Sequence, residues 1–487
     1  MRILIEMELE TIIGLEIHAQ LSTKSKLWCN CDNDAFGVTP NTRICPVCTG
    51  FPGVLPVLNK LALEKALRAA VALGCKIQNF SKFDRKNYFY PDLPTGYQIT
   101  QNDKPFSLRG KVEILVPTKD EHGNVSKISA KKIKITRIHL ENDAGKMTHT
   151  EQGSLVDFNR AGTPLIEIVT EPDLRSAIEA RALAQEIQKI LRVVGASKAD
   201  MEKGMMRFDA SVSLRPKGDK KLYARAEIKN LNSFSSLEKA INFEISRQSK
   251  LWQKGNPPDK DSTRGWVEEI EETKLLRAKE SADDYRYFPE PDIPPLVFTD
   301  EEIEDISRDL PELPTEKFWK YKKEYKLSDL NALKLSESHE LSDFYEEIVK
   351  LSEKPQESAK LIFSVLLSND EWSKSLINPE HFADVITLLD RAVISSSGAK
   401  KILNKAMETG EQAEILMVEM GLEQVSNNDE LEKWIEEVLE KNPQTVSDFK
   451  NGKEKVLGFL VGQVMKISRG TANPVLVQKT IREKLKK

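Results

Sequence analysis

From Ile13 onward in residues 11–21, every odd position is apolar (Ile13, Leu15, Ile17, Ala19, Leu21), with Gly14, Glu16, His18 and Gln20 between them. A period of two predicts a strand with one face on a core. The same alternation returns three times. In residues 132–141, Arg137, His139 and Glu141 oppose Ile138 and Leu140; in 207–215, Arg207, Asp209, Ser211, Ser213 and Arg215 oppose Phe208, Ala210, Val212 and Leu214; in 225–229, Arg225, Glu227 and Lys229 oppose Ala226 and Ile228. Residues 165–169 read as a buried strand, interrupted only by Glu167. Between these strands, residues 61–73 and 175–194 carry helical spacing and stop at Gly74 and Gly195, which suit left-handed C-caps. Beyond residue 300, Gly and Pro thin out and helical spacing dominates. The change falls at a proline cluster, residues 289–295, and one helical pattern ends near Gly421. The expected class is α+β: an antiparallel-sheet domain over 1–298, an all-α domain over 299–419 and a small all-α tail over 420–487.

The chain has 487 residues, for which the length prior is about three domains. With 30% charged and 39% hydrophobic residues it is globular in composition. No apolar run approaches the ~18 residues of a spanning helix, so no membrane role is expected. Residues 1–10 show no secretory pattern and five cysteines are too few for a disulfide framework, so the expected compartment is the cytoplasm. The net charge of −4 exerts no general pull on nucleic acid. Charge is nevertheless partitioned. Residues 441–487 hold eleven Lys/Arg against three acids, an excess of eight positive charges that includes Lys453, Lys455, Lys466 and Arg469. Such a tail is either a solvated helical surface or a contact for an RNA backbone.

The polar faces carry the chemistry. A carboxylate in an apolar strand, as at Glu167, needs a cation or hydrogen-bond donors, because an unpaired one costs several kcal/mol. Acids converging from separate strands suit a hard cation such as Mg²⁺, which bridges readily to phosphates; a structural ion pair is the other reading. Neither a Walker phosphate loop nor a G-x-G-x-x-G run occurs, so a bound nucleotide would be held by metal and basic side chains. Cys29-x-Cys31 and Cys45-x-x-Cys48 have the paired spacing of a structural Zn²⁺ site, closed to substrate by its four sulfurs, whereas Cys75 reads as a core thiol.

These segments resemble a known family. Ile13-Gly14-Leu15-Glu16-Ile17-His18, the cysteine knuckle, Asp84-Arg85-Lys86-Asn87-Tyr88-Phe89-Tyr90-Pro91-Asp92, His139-Leu140-Glu141-Asn142-Asp143, Asn159-Arg160-Ala161-Gly162-Thr163-Pro164, Glu227-Ile228-Lys229-Asn230 and Asp284-Tyr285-Arg286-Tyr287-Phe288-Pro289 are similar to motifs of the aspartyl/glutamyl-tRNA(Asn/Gln) amidotransferase B-subunit family. The resemblance is dense over the first 300 residues. It implies a cradle-shaped catalytic domain, a helical domain and a tRNA-contacting tail. It also implies a heterotrimer with an amidase (glutaminase) A-subunit and a small C-subunit. The implied reaction is ATP-dependent conversion of misacylated Glu-tRNA(Gln) or Asp-tRNA(Asn) to the amide, through an acyl phosphate and ammonia. Glu16, His18, Glu141 and Glu167 would serve Mg²⁺; Lys86, Arg160 and Arg207 would serve ATP or the esterified amino acid; Lys453, Lys455, Lys466 and Arg469 would serve the tRNA. One departure stands out: Thr95 replaces the usual lysine of the family's Pro-Lys-Gly-Tyr-Gln run, which leaves nearby charge to Arg85 or Lys86. The competing expectation is a non-catalytic, zinc-containing tRNA-binding scaffold.

Overall fold

The alternating segments become the centre of one large sheet. The structure is a computed structural model describing residues 8–122, 125–278, 282–369, 372–424, 428–468, 470 and 472–486. It divides into two compact units, Met1–Lys317 and Phe318–Lys487.

Nine strands of the first unit, counted among the described residues, form this sheet: β1 (Leu9–Gln20), β2 (Lys76–Ile77), β3 (Ser107–Lys119), β4 (Val125–Asn142), β5 (Pro164–Thr170), β6 (Met206–Pro216), β7 (Ala226–Leu231), β8 (Ser262–Val267) and β9 (Glu272–Ala278). Their spatial order is β9-β8-β7-β6-β1-β5-β4-β3-β2. Neighbours are antiparallel except β7 and β8, which run parallel, so the sheet is mixed and not purely antiparallel as expected. The physical reason is α3 (Phe234–Gln253), a crossover helix between β7 and β8 that returns the chain in the same direction.

One face of the sheet is oily and covered. Ile13, Leu15, Ile17, Ile138, Leu140, Ile166, Ile168, Phe208 and Val212 are buried in one cluster with residues of α1 (Lys60–Ala72), α2 (Ala177–Val193) and α3. Full burial of a side chain such as Ile17 contributes roughly 1.5–3 kcal/mol. The helices start where the sequence supplies caps: Asn59 Oδ1 accepts from the Leu61 and Ala62 amides, and the Ser176 and Ser233 hydroxyls accept from Glu179 and Ser236. Gly74 ends α1 at φ +65°, where a Cβ would meet the Lys111 carbonyl at 3.0 Å, so both conformation and space require glycine.

With this face covered by helices, the alternation leaves the other face for the polar residues. A three-stranded sheet of Phe288–Pro289, Asp84–Asn87 and Tyr97–Thr100 supplies further side chains near it. The second unit is helical in its described residues, and its last helices, Asn428–Lys441, Leu457–Ile467 and Pro474–Lys486, share an apolar core around Ile435, Leu460 and Ile481. No helix of the described residues is long and apolar enough to cross a membrane.

Candidate active site

Register determines which polar side chains meet. In β1, Glu16 is opposite Asp209 on one side and Val169 on the other; His18 is opposite Arg207 and Glu167. In β4, His139 is opposite Glu167. Two compact groups result, each with ligand-capable atoms within 4.8 Å of one another: His18, Glu141 and Glu167, and Glu16, Asp209 and Glu227. Glu16 therefore belongs to the neighbouring group and not to that of Glu141 and Glu167. All four carboxylates Glu16, Glu141, Glu167 and Glu227 nevertheless line one cleft of about 200 Å³, together with Lys86 and Lys229.

In the first group, His18 Nε2 is 3.3 Å from Glu167 Oε2, and His139 Nε2 is 3.5 Å from Glu141 and 3.6 Å from Glu167. Thr100 donates its hydroxyl to Glu141 at 3.1 Å. Burial by itself would raise both carboxyls. The His139 hydrogen bond brings Glu141 below its ordinary value, and the charge of His139 with the His18 hydrogen bond holds Glu167 well below it. Burial would lower His18, but its bond to Glu167 outweighs this and raises it. In the second group, Lys229 Nζ is 2.8 Å from Asp209 Oδ2 and also pairs with Glu227. Glu16 makes no ion pair among the described residues; burial and the nearby charge of Glu167 raise its carboxyl. Both groups fit a hard divalent cation by their donor sets. The histidine group adds buried Nδ1 atoms of His18 and His139 without partners.

The basic candidates separate. Lys86 reaches the cleft from the small sheet, its ammonium 4.7 Å from the centre of the Tyr285 ring, and has no carboxylate within ion-pair distance among the described residues. Burial would lower it, but the charges of Glu141 and Glu167 raise it. Arg207 is committed to Asp143 through two 3.2 Å contacts, and Arg160 donates to the Ala144 and Gly145 carbonyls at 2.9 and 2.6 Å. Neither lines the cleft. Arg85 is engaged by Glu290 at 2.6 and 2.9 Å, and Thr95 hydrogen-bonds the Tyr97 carbonyl, so Arg85 is not available in place of the absent lysine. Sequence reasoning left His139, Arg137, Asp209, Glu227 and Lys229 unassigned although all lie on the polar faces. The usable signal was spacing: each sits two residues from another polar-face member, His139 from Glu141, Asp209 from Arg207.

The four cysteines Cys29, Cys31, Cys45 and Cys48 converge with sulfurs within 4.8 Å. Lys26, fully buried, donates to Cys48 Sγ at 3.6 Å and the Phe158 carbonyl at 3.3 Å. A Cys29 hydrogen bond, the Cys45 amide and the Lys26 charge hold the Cys48 thiol down at about 5 against the cost of burial, favouring the thiolate that binds metal. The residues fit a tetrahedral thiolate site. In the second unit Lys453, Lys455 and Lys466 are exposed, with Lys453 3.1 Å from Asp448; Arg469 lies outside the described residues.

Residues 11–304, which carry this mixed sheet, its cleft and the cysteine knuckle, match the family described as the GatB/GatE catalytic domain, and residues 343–485 of the helical region match the one described as GatB domain. The chain is 47% identical over 486 residues to the aspartyl/glutamyl-tRNA(Asn/Gln) amidotransferase B-subunit of Persephonella marina, covering 99% of this chain and 100% of that one. It is 45% identical to the namesake of Caldicellulosiruptor saccharolyticus (99% and 100% covered) and 44% to that of a Thermotoga species (98% and 99%). The chain belongs to the aspartyl/glutamyl-tRNA(Asn/Gln) amidotransferase B-subunit family.

Proposed function

We propose that the chain carries out the ATP-dependent transamidation of misacylated Glu-tRNA(Gln), Asp-tRNA(Asn) or both, as its family membership implies. The observation that carries the reading is the meeting of Glu141 and Glu167 from one ligand-capable group with Glu16 and Glu227 from the other, beside Lys86 in one cleft. Oxide is a poor leaving group, so a side-chain carboxylate accepts ammonia only once activated. A carboxylate oxygen of the esterified amino acid attacks the γ-phosphorus of ATP, the β–γ bridge breaks and ADP leaves. Ammonia then attacks the acyl phosphate carbon, inorganic phosphate departs, and a proton is lost.

Positioning and charge neutralisation dominate such a transfer. Magnesium held by the two carboxylate groups would supply the positive charge that the phosphates need. Lys86, in the cleft with no carboxylate within ion-pair distance among the described residues, binds the phosphate oxygens, and Arg137, which lines the same cleft from β4, contributes a second cation. Arg160 and Arg207, oriented by Asp143, are assigned to the esterified amino acid. The cysteine site holds a structural Zn²⁺ that fixes the loop after β1, without catalytic duty. The exposed lysines of the tail bind the tRNA backbone, in the three-part division 1–298, 299–419 and 420–487. Ammonia comes from an amidase (glutaminase) A-subunit, with a small C-subunit completing the cytoplasmic heterotrimer. A zinc-bearing scaffold without activity would account for the cysteines and the tail but not for the four carboxylates Glu16, Glu141, Glu167 and Glu227 in one cleft.

The test is ATP consumption by the purified complex with and without misacylated tRNA. Turnover should require both the tRNA and intact Glu141. Equal turnover without tRNA overturns the reading, as does unchanged turnover in Glu141→Gln.

A further inference from the structure

Lys26 is fully buried, yet among the described residues no carboxylate lies within ion-pair distance of its ammonium. Its nitrogen has two partners, Cys48 Sγ at 3.6 Å and the Phe158 carbonyl at 3.3 Å. A carbonyl solvates a buried cation but does not neutralise it, and a buried charge needs a compensating one. Sulfur is the candidate anion within reach. Were the four cysteines neutral thiols, or joined as two disulfides, the ammonium would have no counter-charge. Four thiolates around one divalent ion carry two negative charges in excess, and these supply it.

The contact is directed. The Cys45 amide also donates to Cys48 Sγ, at 3.2 Å, so two donors converge on one sulfur. The backbone around Lys26 is pinned to both sides of the loop. Its own amide donates to the Cys31 carbonyl at 3.0 Å, and the Leu27 amide donates to the Gly162 carbonyl at 2.8 Å. The site also borders open space. Cys29 and Cys48 line a cavity of about 350 Å³ whose walls include the exposed residues Phe51 and Leu55. Thiolate is the nucleophilic form of cysteine, so a metal-bound sulfur at this cavity is open to soft carbon electrophiles. In that reaction the sulfur forms a bond to carbon and its bond to zinc breaks.

We propose that Lys26 is the resident counter-cation of the four-cysteine site, neutralising part of the tetrathiolate's charge and blunting the nucleophilicity of Cys48 Sγ toward electrophiles that enter by the cavity. This rests on the reading of the cysteines as a structural Zn²⁺ site. A hydrogen bond from a charged donor stabilises the sulfur lone pairs. The sulfur then gives less electron density both to the metal and to an attacking carbon, as partners behind a ligand generally tune the metal. Lys26 acts through the sulfur and is a positioning residue of the metal site.

Two measurements on the full complex test this. With Co²⁺ in place of zinc, the wild type should show a sulfur-to-metal charge-transfer band. Lys26→Met, which keeps the length of the stem, should move that band to lower energy, a shift that lost packing alone does not produce. With zinc bound, N-ethylmaleimide is the probe: one alkene carbon bonds to sulfur and the other takes a proton from water. Zinc should pass to a chromogenic chelator faster from Lys26→Met than from the wild type, by about tenfold or more. Lys26→Arg, which keeps the charge, should stay near the wild-type rate. Should Lys26→Met fail to fold, Lys26→Gln, also neutral, is compared with the wild type in both measurements. An unchanged band energy or an unchanged release rate in the neutral variant overturns the proposal and leaves the zinc site standing. A wild-type complex that shows no sulfur-to-cobalt band overturns the zinc reading, and the proposal with it.

Discussion

His18 and Glu167 stand opposite each other in antiparallel β1 and β5, with Nε2 and Oε2 3.3 Å apart, although 149 residues of chain separate them. Glu167 is the one charged residue of β5, and its neighbours across both adjacent strands are histidines, His18 and His139. The carboxylate is affordable there because its partners come from other strands.

Replacing Glu141 by Gln keeps the side-chain shape and the Thr100 contact but removes a charge from the histidine group. tRNA-dependent ATP hydrolysis should fall by about 10²-fold or more. The circular dichroism spectrum and the glutaminase activity of the complex should be unchanged. Steady-state assays of both half-reactions on one preparation measure the contrast.

Lys86→Met should weaken nucleotide binding while leaving the carboxylate groups in place. Loss of one charge-assisted contact of about 1.5–3 kcal/mol corresponds to a rise of roughly ten- to hundredfold in the KM for ATP. Lys86→Arg should recover part of it. Calorimetric titration with the β,γ-imido analogue gives the same comparison without turnover.

Asp143 is buried and shared by Arg207, Arg160 and Gln20; burial would raise its carboxyl, but the Arg207 charge carries it down to about 2. Its folded value lies below that of an unfolded aspartate. The pair therefore stabilises the fold fully above about pH 4 and loses this contribution as pH falls toward 2, an effect on the order of 2 kcal/mol. Asp143→Asn should lower the melting temperature at pH 7, and the difference from the wild type should shrink across pH 4 to 2. Melting curves over that range decide it.

Removal of the cysteine-bound metal should loosen structure without touching chemistry directly. Elemental analysis should find one zinc per chain. Cys45→Ser should lose it and lower the melting temperature, with a larger effect on stability than on kcat. A kcat that falls by more than tenfold at retained stability would assign the site a catalytic role.

Changing Lys453, Lys455 and Lys466 together to Gln should weaken tRNA binding and reduce its dependence on salt. Each lost phosphate contact lowers the log–log slope by roughly 0.7–0.9. Filter binding at several salt concentrations would show a slope smaller by about 2; an unchanged slope identifies these exposed lysines as solvated surface.

The chain order of apolar and polar residues determined a good deal. The alternation in β1, β4, β6 and β7 and the glycine stops of α1 and α2 are local facts, set by side-chain period and backbone conformation, and the strands and helices follow them within a few residues. Beyond about 125, β4 extends seven residues earlier than its alternation suggested, because it pairs with β3 along that length. The spacing of Cys29, Cys31, Cys45 and Cys48 likewise announced its own convergence. Register did not follow from any one segment. A strand declares which side chains share its face, but not which strand lies beside it, and the pairing of β1 between β5 and β6 is what sorts the acids into two groups and puts Glu16 with Asp209 and Glu227. For the same reason the sequence did not separate Lys86, which lines the cleft, from Arg160 and Arg207, which pair with Asp143 outside it: a cation's partner on another strand is not written in its own segment.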